Sequence, residues 1–197
     1  MVTGRPVRQL LTLFSPFNDV EVWGAHGLEH RLPDGTYRQA AIAPETASML
    51  TRAEKWSIAA GLAPLAEIKP GGIAIHWRGL PDAEIERVQA SVVEGWAALA
   101  ERPGLKLLNF EAGLELRVAH PDKGDVVAAI LKNLDPNGQI AFLGDDLTDE
   151  DAFRVLEYRG LSVLVRPEYR KTRAKAWLKP PHELIHFFEQ WLSHISP

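Results

Sequence analysis

Residues 140–153 read Ile-Ala-Phe-Leu-Gly-Asp-Asp-Leu-Thr-Asp-Glu-Asp-Ala-Phe, and this stretch decides the fold prediction. The apolar run Ile140–Leu143 leads directly into five carboxylates between Asp145 and Asp151. In open parallel sheets, ligands bind at the carboxyl ends of the strands, which is where this cluster would lie. So much negative charge at one strand end is costly unless a cation neutralises it, and magnesium prefers oxygen ligands of this kind. The stretch therefore predicts a parallel strand that ends at a magnesium site.

A second interpretation covers part of the acidic stretch. Asp149, Glu150 and Asp151 begin a helical pattern over residues 149–158, and carboxylates at a helix N-terminus interact favourably with the helix dipole. This interpretation does not extend to Asp145 and Asp146, which follow the strand directly. Those two residues are therefore the stronger metal candidates.

The chain beyond Pro121 alternates between helical and extended patterns. Helices are predicted over residues 124–134, 149–158 and 181–194, and strands over residues 140–143 and 161–165. Such alternation indicates a parallel sheet with helices on its faces.

The chain before Pro121 has a different pattern. Helical spacing is present over residues 7–14, and Asp34-Gly35 between extended residues predicts a hairpin. Residues 41–119 combine strands and helices in a unit of their own. Its helices are predicted over residues 44–60 and 81–100. Its strands are predicted within residues 68–78, 105–110 and 114–118, and the last two strands are joined at Glu111–Gly113.

The composition excludes several classes of protein. The 197 residues are 46% apolar and contain no cysteine, so the chain is globular and has neither disulfides nor thiolate zinc sites. The longest uncharged run, residues 56–66, is shorter than the ~20 apolar residues of a membrane span, and no signal-peptide pattern is present, so a cytoplasmic protein is expected.

The charge makes membrane and nucleic-acid partners unexpected. A net charge of −4 gives no general attraction to nucleic acid or to an anionic membrane. The basic stretch 166–179 is a weak candidate for a nucleic-acid face, because few aromatic residues are interleaved with its charges. Neither partner is therefore predicted, and the sequence leaves the oligomeric state open.

Gly144–Phe153 resembles the acidic motif of the trehalose 6-phosphate phosphatases, in the haloacid dehalogenase-like superfamily. Further stretches agree with that family in the same order, so that the resemblance covers essentially the whole chain: Val2–Pro6, Trp23–Glu29, Glu67–Lys69, His76–Arg78, Leu114–Arg117 and Asp122–Gly124. The resemblance implies an α/β fold, in which residues 1–40 and 120–197 form a Rossmann-like parallel-sheet core and residues 41–119 an inserted α+β cap. The implied function is magnesium-dependent hydrolysis of trehalose 6-phosphate to trehalose and phosphate, in trehalose biosynthesis.

The same resemblance assigns roles to residues of the core. Thr3 and the backbone N–H of Gly4 would bind the phosphoryl oxygens, and Lys123 would neutralise the phosphate and the attacking carboxylate. Asp145 would hold magnesium and Asp149 would support the metal site. As bare sequence, Thr3-Gly4 is an ordinary turn and a lysine before glycine is an ordinary surface residue.

In the cap, the resemblance gives Glu67, Lys69 and Glu115 positions that face the sugar. His26 and Glu29 lie next to the crossover between core and cap and are further candidates for sugar contact. Glu67 and Lys69 share one strand face by two-residue alternation. The alternatives are an exposed cross-strand salt bridge and a structural histidine. Three tryptophans are expected in the core of the cap rather than as stacking platforms: Trp56, Trp77 and Trp96.

One family motif has no counterpart here. Family members begin with a strand that ends in Asp-x-Asp-Gly-Thr, which supplies the nucleophile and the general acid upstream of the segment matched by Thr3. The only Asp-Gly-Thr in this chain, Asp34-Gly35-Thr36, follows Thr3. The expectation is a truncated phosphatase in which the first strand of the core is missing and which is inactive alone. The alternative is a non-catalytic sugar-phosphate-binding or regulatory module, completed by another protein that supplies the strand.

Overall fold

The computed structural model of the chain describes residues 1–13, 19–110 and 112–195. The chain forms two compact units, Met1–Asp122 and Lys123–Pro197. The division into a core and a cap, with boundaries near residues 40 and 120, remains a prediction.

A four-stranded antiparallel sheet is the main sheet of the first unit. Its strands are β4 (Ala66–Lys69), β5 (Gly72–His76), β6 (Leu105–Phe110) and β7 (Gly113–Val118), in the order β4-β5-β7-β6. A tight turn after Lys69 joins β4 to β5, and Gly71 adopts the left-handed φ of 68° that this turn needs. Glu111, which belongs to the predicted connection between β6 and β7, lies outside the described residues.

One face of this sheet forms the apolar core of the first unit. Alternate strand residues, such as Ile75 and Leu116, pack against helices α2 (Pro44–Ala59) and α3 (Asp82–Ala100). All three tryptophans expected in this core belong to it: Trp96 is fully buried, Trp77 is buried and Trp56 packs at its margin. The expectation of core rather than stacking tryptophans is confirmed.

The other face of the sheet carries polar side chains in register. Cross-strand pairing forms three rows on this face: Lys69, Gly72, Arg117 and Lys106; Glu67, Ala74, Glu115 and Leu108; and His76, Gly113 and Phe110. Neighbours within a row lie side by side because paired residues on adjacent strands point to the same face. We call this surface the polar face.

The beginning of the first unit contains α1 (Val7–Leu13) and a small antiparallel sheet of β1 (Val22–Gly24), β2 (Glu29–Arg31) and β3 (Tyr37–Gln39). The hairpin predicted at Asp34-Gly35 joins β2 to β3 and is confirmed. Phe14, the predicted end of α1, lies outside the described residues. Val2 pairs with Trp23 in a parallel bridge, which places Thr3 directly after an extended residue.

The second unit contains the parallel sheet that the alternating pattern predicts. Strands β8 (Ala141–Gly144), β9 (Leu161–Val165) and β10 (Ala176–Leu178) pair in the order β10-β9-β8. The helices of this unit are α4 (Lys123–Asn133), α5 (Glu150–Val155) and α6 (His182–Ile195). The sequence did not indicate β10, because it is only three residues long and follows a polar loop.

The described residues include no helix that combines the length and the apolar character needed to cross a membrane.

Candidate active site

The acidic stretch forms a compact loop between β8 and α5. The carboxylate of Asp146 accepts a hydrogen bond of 2.6 Å from the N–H of Leu147, and Asp149 accepts one of 2.9 Å from the N–H of Asp146. The Asp146 side chain also accepts from the backbone N–H of Asp149, and this bond and the one from Asp146 N–H to the Asp149 side chain form a capping box around the 3₁₀ turn Leu147–Asp149. Asp146, one of the two stronger metal candidates in the sequence, caps this turn.

Lys123 and Asp149 form a buried ion pair. The Nζ atom of Lys123, the first residue of α4, lies 2.6 Å from Oδ1 of Asp149. Both residues are at most 7% exposed, so the pair is well shielded from water. A Cβ at Gly144 would lie 2.4 Å from Cγ of Asp149, which means that the glycine lets this carboxylate lie against the end of β8. The structure thus joins two residues that the sequence proposes for one site.

Asp145 differs from its neighbours because it is exposed. It directly follows β8, at the carboxyl end where a ligand is expected. Asp149 follows four residues later in the chain, with its two oxygens held by Lys123 and by the N–H of Asp146. An accessible carboxylate with a second, oriented carboxylate close in sequence fits an oxygen-ligated Mg²⁺ ion, with Asp145 as ligand and Asp149 as the supporting group.

The basic segment after β9 fastens the acidic loop. Arg166 donates a hydrogen bond of 3.2 Å to the carbonyl oxygen of Asp145, and Arg170 donates one of 2.7 Å to that of Asp146. Arg170 also pairs with Glu150, which accepts a further bond of 2.8 Å from the N–H of Arg173. The pKa of Glu150 is lowered, because these bonds outweigh the effect of burial. Two basic side chains of the stretch, Arg166 and Arg170, are thus engaged within the chain.

In the first unit, Thr3 and Gly4 lie against His26. A Cβ at Gly4 would lie 2.7 Å from Nε2 of His26, so the glycine makes room for the imidazole. His26 is buried and has a left-handed φ of 60°, and Ala25 before it has a φ of 45°. Each such non-glycine residue costs about 1–3 kcal/mol of strain.

Hydrogen bonds to the Thr3 segment hold this strained turn. The N–H of His26 donates to the carbonyl oxygen of Thr3 at 3.0 Å, and the N–H of Ala25 donates to that of Arg5 at 2.9 Å. Strained residues persist where their surroundings fix them, which occurs often at ligand sites. The turn therefore fixes the imidazole beside the predicted phosphate-binding residues.

A series of side-chain contacts runs from His26 across the polar face. Nε2 of His26 lies 3.5 Å from Oε2 of Glu115, and Oε1 of Glu115 lies 3.3 Å from Nζ of Lys69. Nζ of Lys69 is in turn 3.6 Å from Oε2 of Glu67. The structure therefore joins the four residues that the sequence proposes for sugar binding. The predicted shared face of Glu67 and Lys69 is confirmed, and Glu115 joins them through the pairing of β5 with β7.

The pKa values of Glu115 and Glu67, the two carboxylates in this series of contacts, are lowered. Burial raises the pKa of Glu115, but His26 and the Lys69 ammonium outweigh it and lower that pKa to about 2. The pKa of Glu67 is also lowered, since Lys69, Gln9 and His76 outweigh its partial burial. Alternating carboxylates and nitrogen-bearing side chains suit a ligand with many hydroxyl groups, each of which both donates and accepts a hydrogen bond.

Three residues of this region were not identified from the sequence. Gln9 donates a hydrogen bond of 3.3 Å to Glu67, and Nε2 of His76 lies 2.9 Å from the same carboxylate. The ring of Phe110 packs edge-on against that of His76, with the centroids 5.1 Å apart. Two-residue alternation on β5 could have placed His76 on the polar face, but Gln9 is 58 residues from Glu67 and no local pattern links them.

Each unit thus contains part of the predicted site. Thr3, Gly4, His26, Glu67, Lys69 and Glu115 lie together in the first unit, and Lys123, Asp145 and Asp149 lie together in the second.

Comparison with known sequences identifies similar proteins. The sequence model of a family described as trehalose-phosphatase matches residues 1–179. A probable trehalose-phosphate phosphatase of Sinorhizobium fredii is 37% identical over 173 residues, which cover 85% of this chain and 62% of that protein. The trehalose-phosphate phosphatase of Mycobacterium tuberculosis is 32% identical over 168 residues, which cover 80% of this chain and 42% of that protein. The chain thus spans less than two thirds of the length of these curated relatives.

Solved structures show the same fold. The C-terminal domain of Candida albicans trehalose-6-phosphate phosphatase superposes with a TM-score of 0.73 at 18% identity, covering 96% of this chain and 76% of that one. A haloacid dehalogenase-like hydrolase from B. subtilis superposes with a TM-score of 0.64 at 16% identity, covering 95% of this chain and 85% of that one. The predicted α/β fold with a parallel sheet is confirmed by these likenesses.

Proposed function

Since the chain belongs to the trehalose-phosphatase family, we propose that it acts as part of a phosphomonoesterase that hydrolyses trehalose 6-phosphate to trehalose and phosphate. The observation that carries this proposal is the continuous set of contacts in the first unit, from Gly4 through His26 and Glu115 to Lys69. It connects a predicted phosphate-binding turn to a surface whose charged groups suit sugar hydroxyls.

Residues proposed to bind the phosphate are present in each unit. The hydroxyl of Thr3 and the N–H of Gly4 would donate hydrogen bonds to phosphoryl oxygens, and Lys123 would supply positive charge. Lys123 is held in position by Asp149, at 2.6 Å, which supports a fixed rather than a mobile charge. A preorganised cation stabilises the charge that develops in phosphoryl transfer without the cost of reorienting it.

Magnesium is the metal we propose for the acidic loop. Asp145 would be its ligand and Asp149 the supporting carboxylate, as the oxygen-only donor set favours. The bound ion would neutralise phosphoryl oxygens. Within the chain, the hydrogen bonds from Arg166 and Arg170 to the loop backbone would keep Asp145 in place.

The sugar would bind on the polar face. Glu67 and Glu115 would accept hydrogen bonds from its hydroxyls, and Lys69 between them would donate. A site built from charged groups that a ligand desolvates rejects a ligand that lacks the matching hydroxyls, because these groups would then have no partners. The relatives named above are phosphatases, which favours this function over a non-catalytic sugar-phosphate-binding module.

Ligand binding by the purified protein tests this proposal. Titration calorimetry in the presence of Mg²⁺ should detect binding of trehalose 6-phosphate, and Lys69→Ala or Glu115→Ala should weaken it about 10-fold or more while affecting inorganic phosphate far less. Glu94→Ala, in an exposed position of α3, is the matched control. Equal losses for both ligands would point instead to a structural salt bridge.

Phosphate release is the second measurement. Phosphate release from trehalose 6-phosphate in the presence of Mg²⁺ reports on hydrolysis, whereas the residues proposed above bind the substrate. Binding is therefore the decisive measurement for their roles.

A further inference from the structure

The polar face has an aromatic corner that the proposed function does not explain. His76, Gly113 and Phe110 are paired in register across β5, β7 and β6, on the same face as Glu67, Lys69 and Glu115. Phe110 is partly exposed.

Gly113 gives the ring its position. A Cβ at Gly113 would lie 1.9 Å from Cζ of Phe110, and 2.4 Å from Cε2, so the ring occupies the space that a side chain would fill. The backbone at Gly113 does not itself need glycine, since its φ is not among the left-handed values of the chain. The space for the ring is therefore the physical reason for a glycine at this position.

The Phe110 ring lies near the side chains of Lys69 and His76, and each of these side chains is paired with Glu67. Nζ of Lys69 lies 5.9 Å from the centroid of the Phe110 ring, within cation–π distance. The His76 ring meets Phe110 edge-on at an interplanar angle of 64°, and its Nε2 lies 2.9 Å from Oε2 of Glu67. Phe110 thus supports the groups that would bind sugar hydroxyls.

A hexose has two chemically different surfaces. Its hydroxyls lie around the edge of the ring, whereas its C–H groups form an apolar patch on the face. Ligand sites combine apolar or aromatic lining with a few fixed polar groups, so that each surface of the ligand meets its match. On the polar face, the charged residues supply the fixed polar groups and Phe110 supplies the aromatic lining.

We propose that Phe110 determines specificity by packing against the apolar face of the substrate sugar, and that Gly113 and His76 position its ring. This inference rests on the proposed function and names the residue that selects the sugar rather than the phosphate. A disaccharide phosphate would gain this contact, whereas inorganic phosphate would not.

Affinity measurements on single variants test this role. Phe110→Leu should weaken trehalose 6-phosphate binding about 10-fold and leave inorganic phosphate binding within about 2-fold of wild type. Phe110→Tyr keeps the ring and should retain the wild-type affinity. Gly113→Ala should reproduce the loss caused by Phe110→Leu, because the added Cβ displaces the ring. Tyr158→Leu, which removes an aromatic side chain that is 92% exposed in the second unit, is the control.

The outcomes separate this inference from the proposed function. If wild type binds trehalose 6-phosphate and Phe110→Leu binds it equally well, Phe110 has only a structural role and the inference is overturned. If wild type binds inorganic phosphate but not trehalose 6-phosphate, the proposed function itself fails. If Phe110→Leu and Gly113→Ala both bind the sugar phosphate weakly, with inorganic phosphate unaffected and Phe110→Tyr unchanged, the inference holds. Each affinity is measured below the melting temperature of the variant, so that loss of folding cannot imitate loss of binding.

Discussion

Nε2 of His26 lies 3.5 Å from Oε2 of Glu115, and both residues are buried. The contact joins a strained turn of the N-terminal region to the central part of the polar face. Its electrostatic consequence is measurable, because it helps to lower the pKa of the Glu115 carboxyl to about 2.

The first prediction concerns stability at low pH. Glu115 binds its proton less readily in the folded state than in the unfolded state, where its pKa is near 4.5, so its contribution to stability is present above that value. We expect the contribution, on the order of 3 kcal/mol, to be lost as pH falls from about 5 to about 2. In urea unfolding across this range, Glu115→Gln should show a weaker pH dependence than wild type. The control variant Glu94→Gln, at an exposed position of α3, should show the same pH dependence as wild type. If the stability of Glu115→Gln changed with pH as that of wild type does, the lowered pKa of Glu115 would be contradicted.

The second prediction concerns the buried pair of Lys123 and Asp149. Lys123→Met leaves the carboxylate of Asp149 buried without its cation and should lower the free energy of unfolding by about 3–5 kcal/mol. Combining it with Asp149→Asn removes that charge, so the double variant should be more stable than the sum of the single effects predicts, by at least about 1 kcal/mol. Lys132→Met, exposed near the end of α4, is the control. Additive effects would mean that the two side chains are not coupled.

The third prediction separates metal binding from folding in the acidic loop. Asp145 is exposed, so Asp145→Asn should change the free energy of unfolding by less than about 0.5 kcal/mol. It should nevertheless weaken Mg²⁺ binding at least about 10-fold in titration calorimetry, because one carboxylate ligand is lost. Asp151→Asn, in the same acidic run, should bind Mg²⁺ as wild type does. Unchanged affinity in Asp145→Asn would exclude this residue as a ligand.

The fourth prediction concerns Glu29, whose buried carboxylate has a structural role. One oxygen accepts a hydrogen bond of 2.8 Å from the N–H of Val7 at the start of α1, and the other accepts one of 2.8 Å from the hydroxyl of Tyr37. Burial and the Glu29 carboxylate raise the pKa of Tyr37 to about 12. Because Tyr37 is 49% exposed, water competes for its hydroxyl, and Tyr37→Phe should lower the free energy of unfolding by about 0.5–1.5 kcal/mol. Tyr158→Phe, at an exposed site, should have no effect.

The fifth prediction uses the close approach of Gly4 to His26. Gly4→Ala places a methyl group within 2.7 Å of the imidazole and should lower the free energy of unfolding by about 1–3 kcal/mol. In a His26→Ala background the ring is absent, so the same substitution should cost much less. Equal costs in both backgrounds, measured by urea unfolding, would show that the glycine is needed for another reason.

Local patterns predicted those parts of the structure that depend on near neighbours. Alternation placed Glu67 and Lys69 on one strand face, and the apolar run before Asp145 predicted a strand of the parallel sheet. The contact of Lys69 with Glu115 depends on the register between strands 46 residues apart, which no local signal encodes. The Asp146–Asp149 spacing is that of a capping box and could have been read from the sequence, whereas the reach of Lys123 to Asp149 could not.

The ion pair between Lys123 and Asp149 also has a consequence for local motion. It ties the first turn of α4 to the 3₁₀ turn that leads into α5, two segments that are 26 residues apart in the chain. Opening either segment alone would break the pair and expose an uncompensated buried charge, so the two should open together. In amide hydrogen exchange, protection of the two segments should therefore rise and fall as one cooperative unit, and a ligand that binds at the Lys123 ammonium should slow exchange in both.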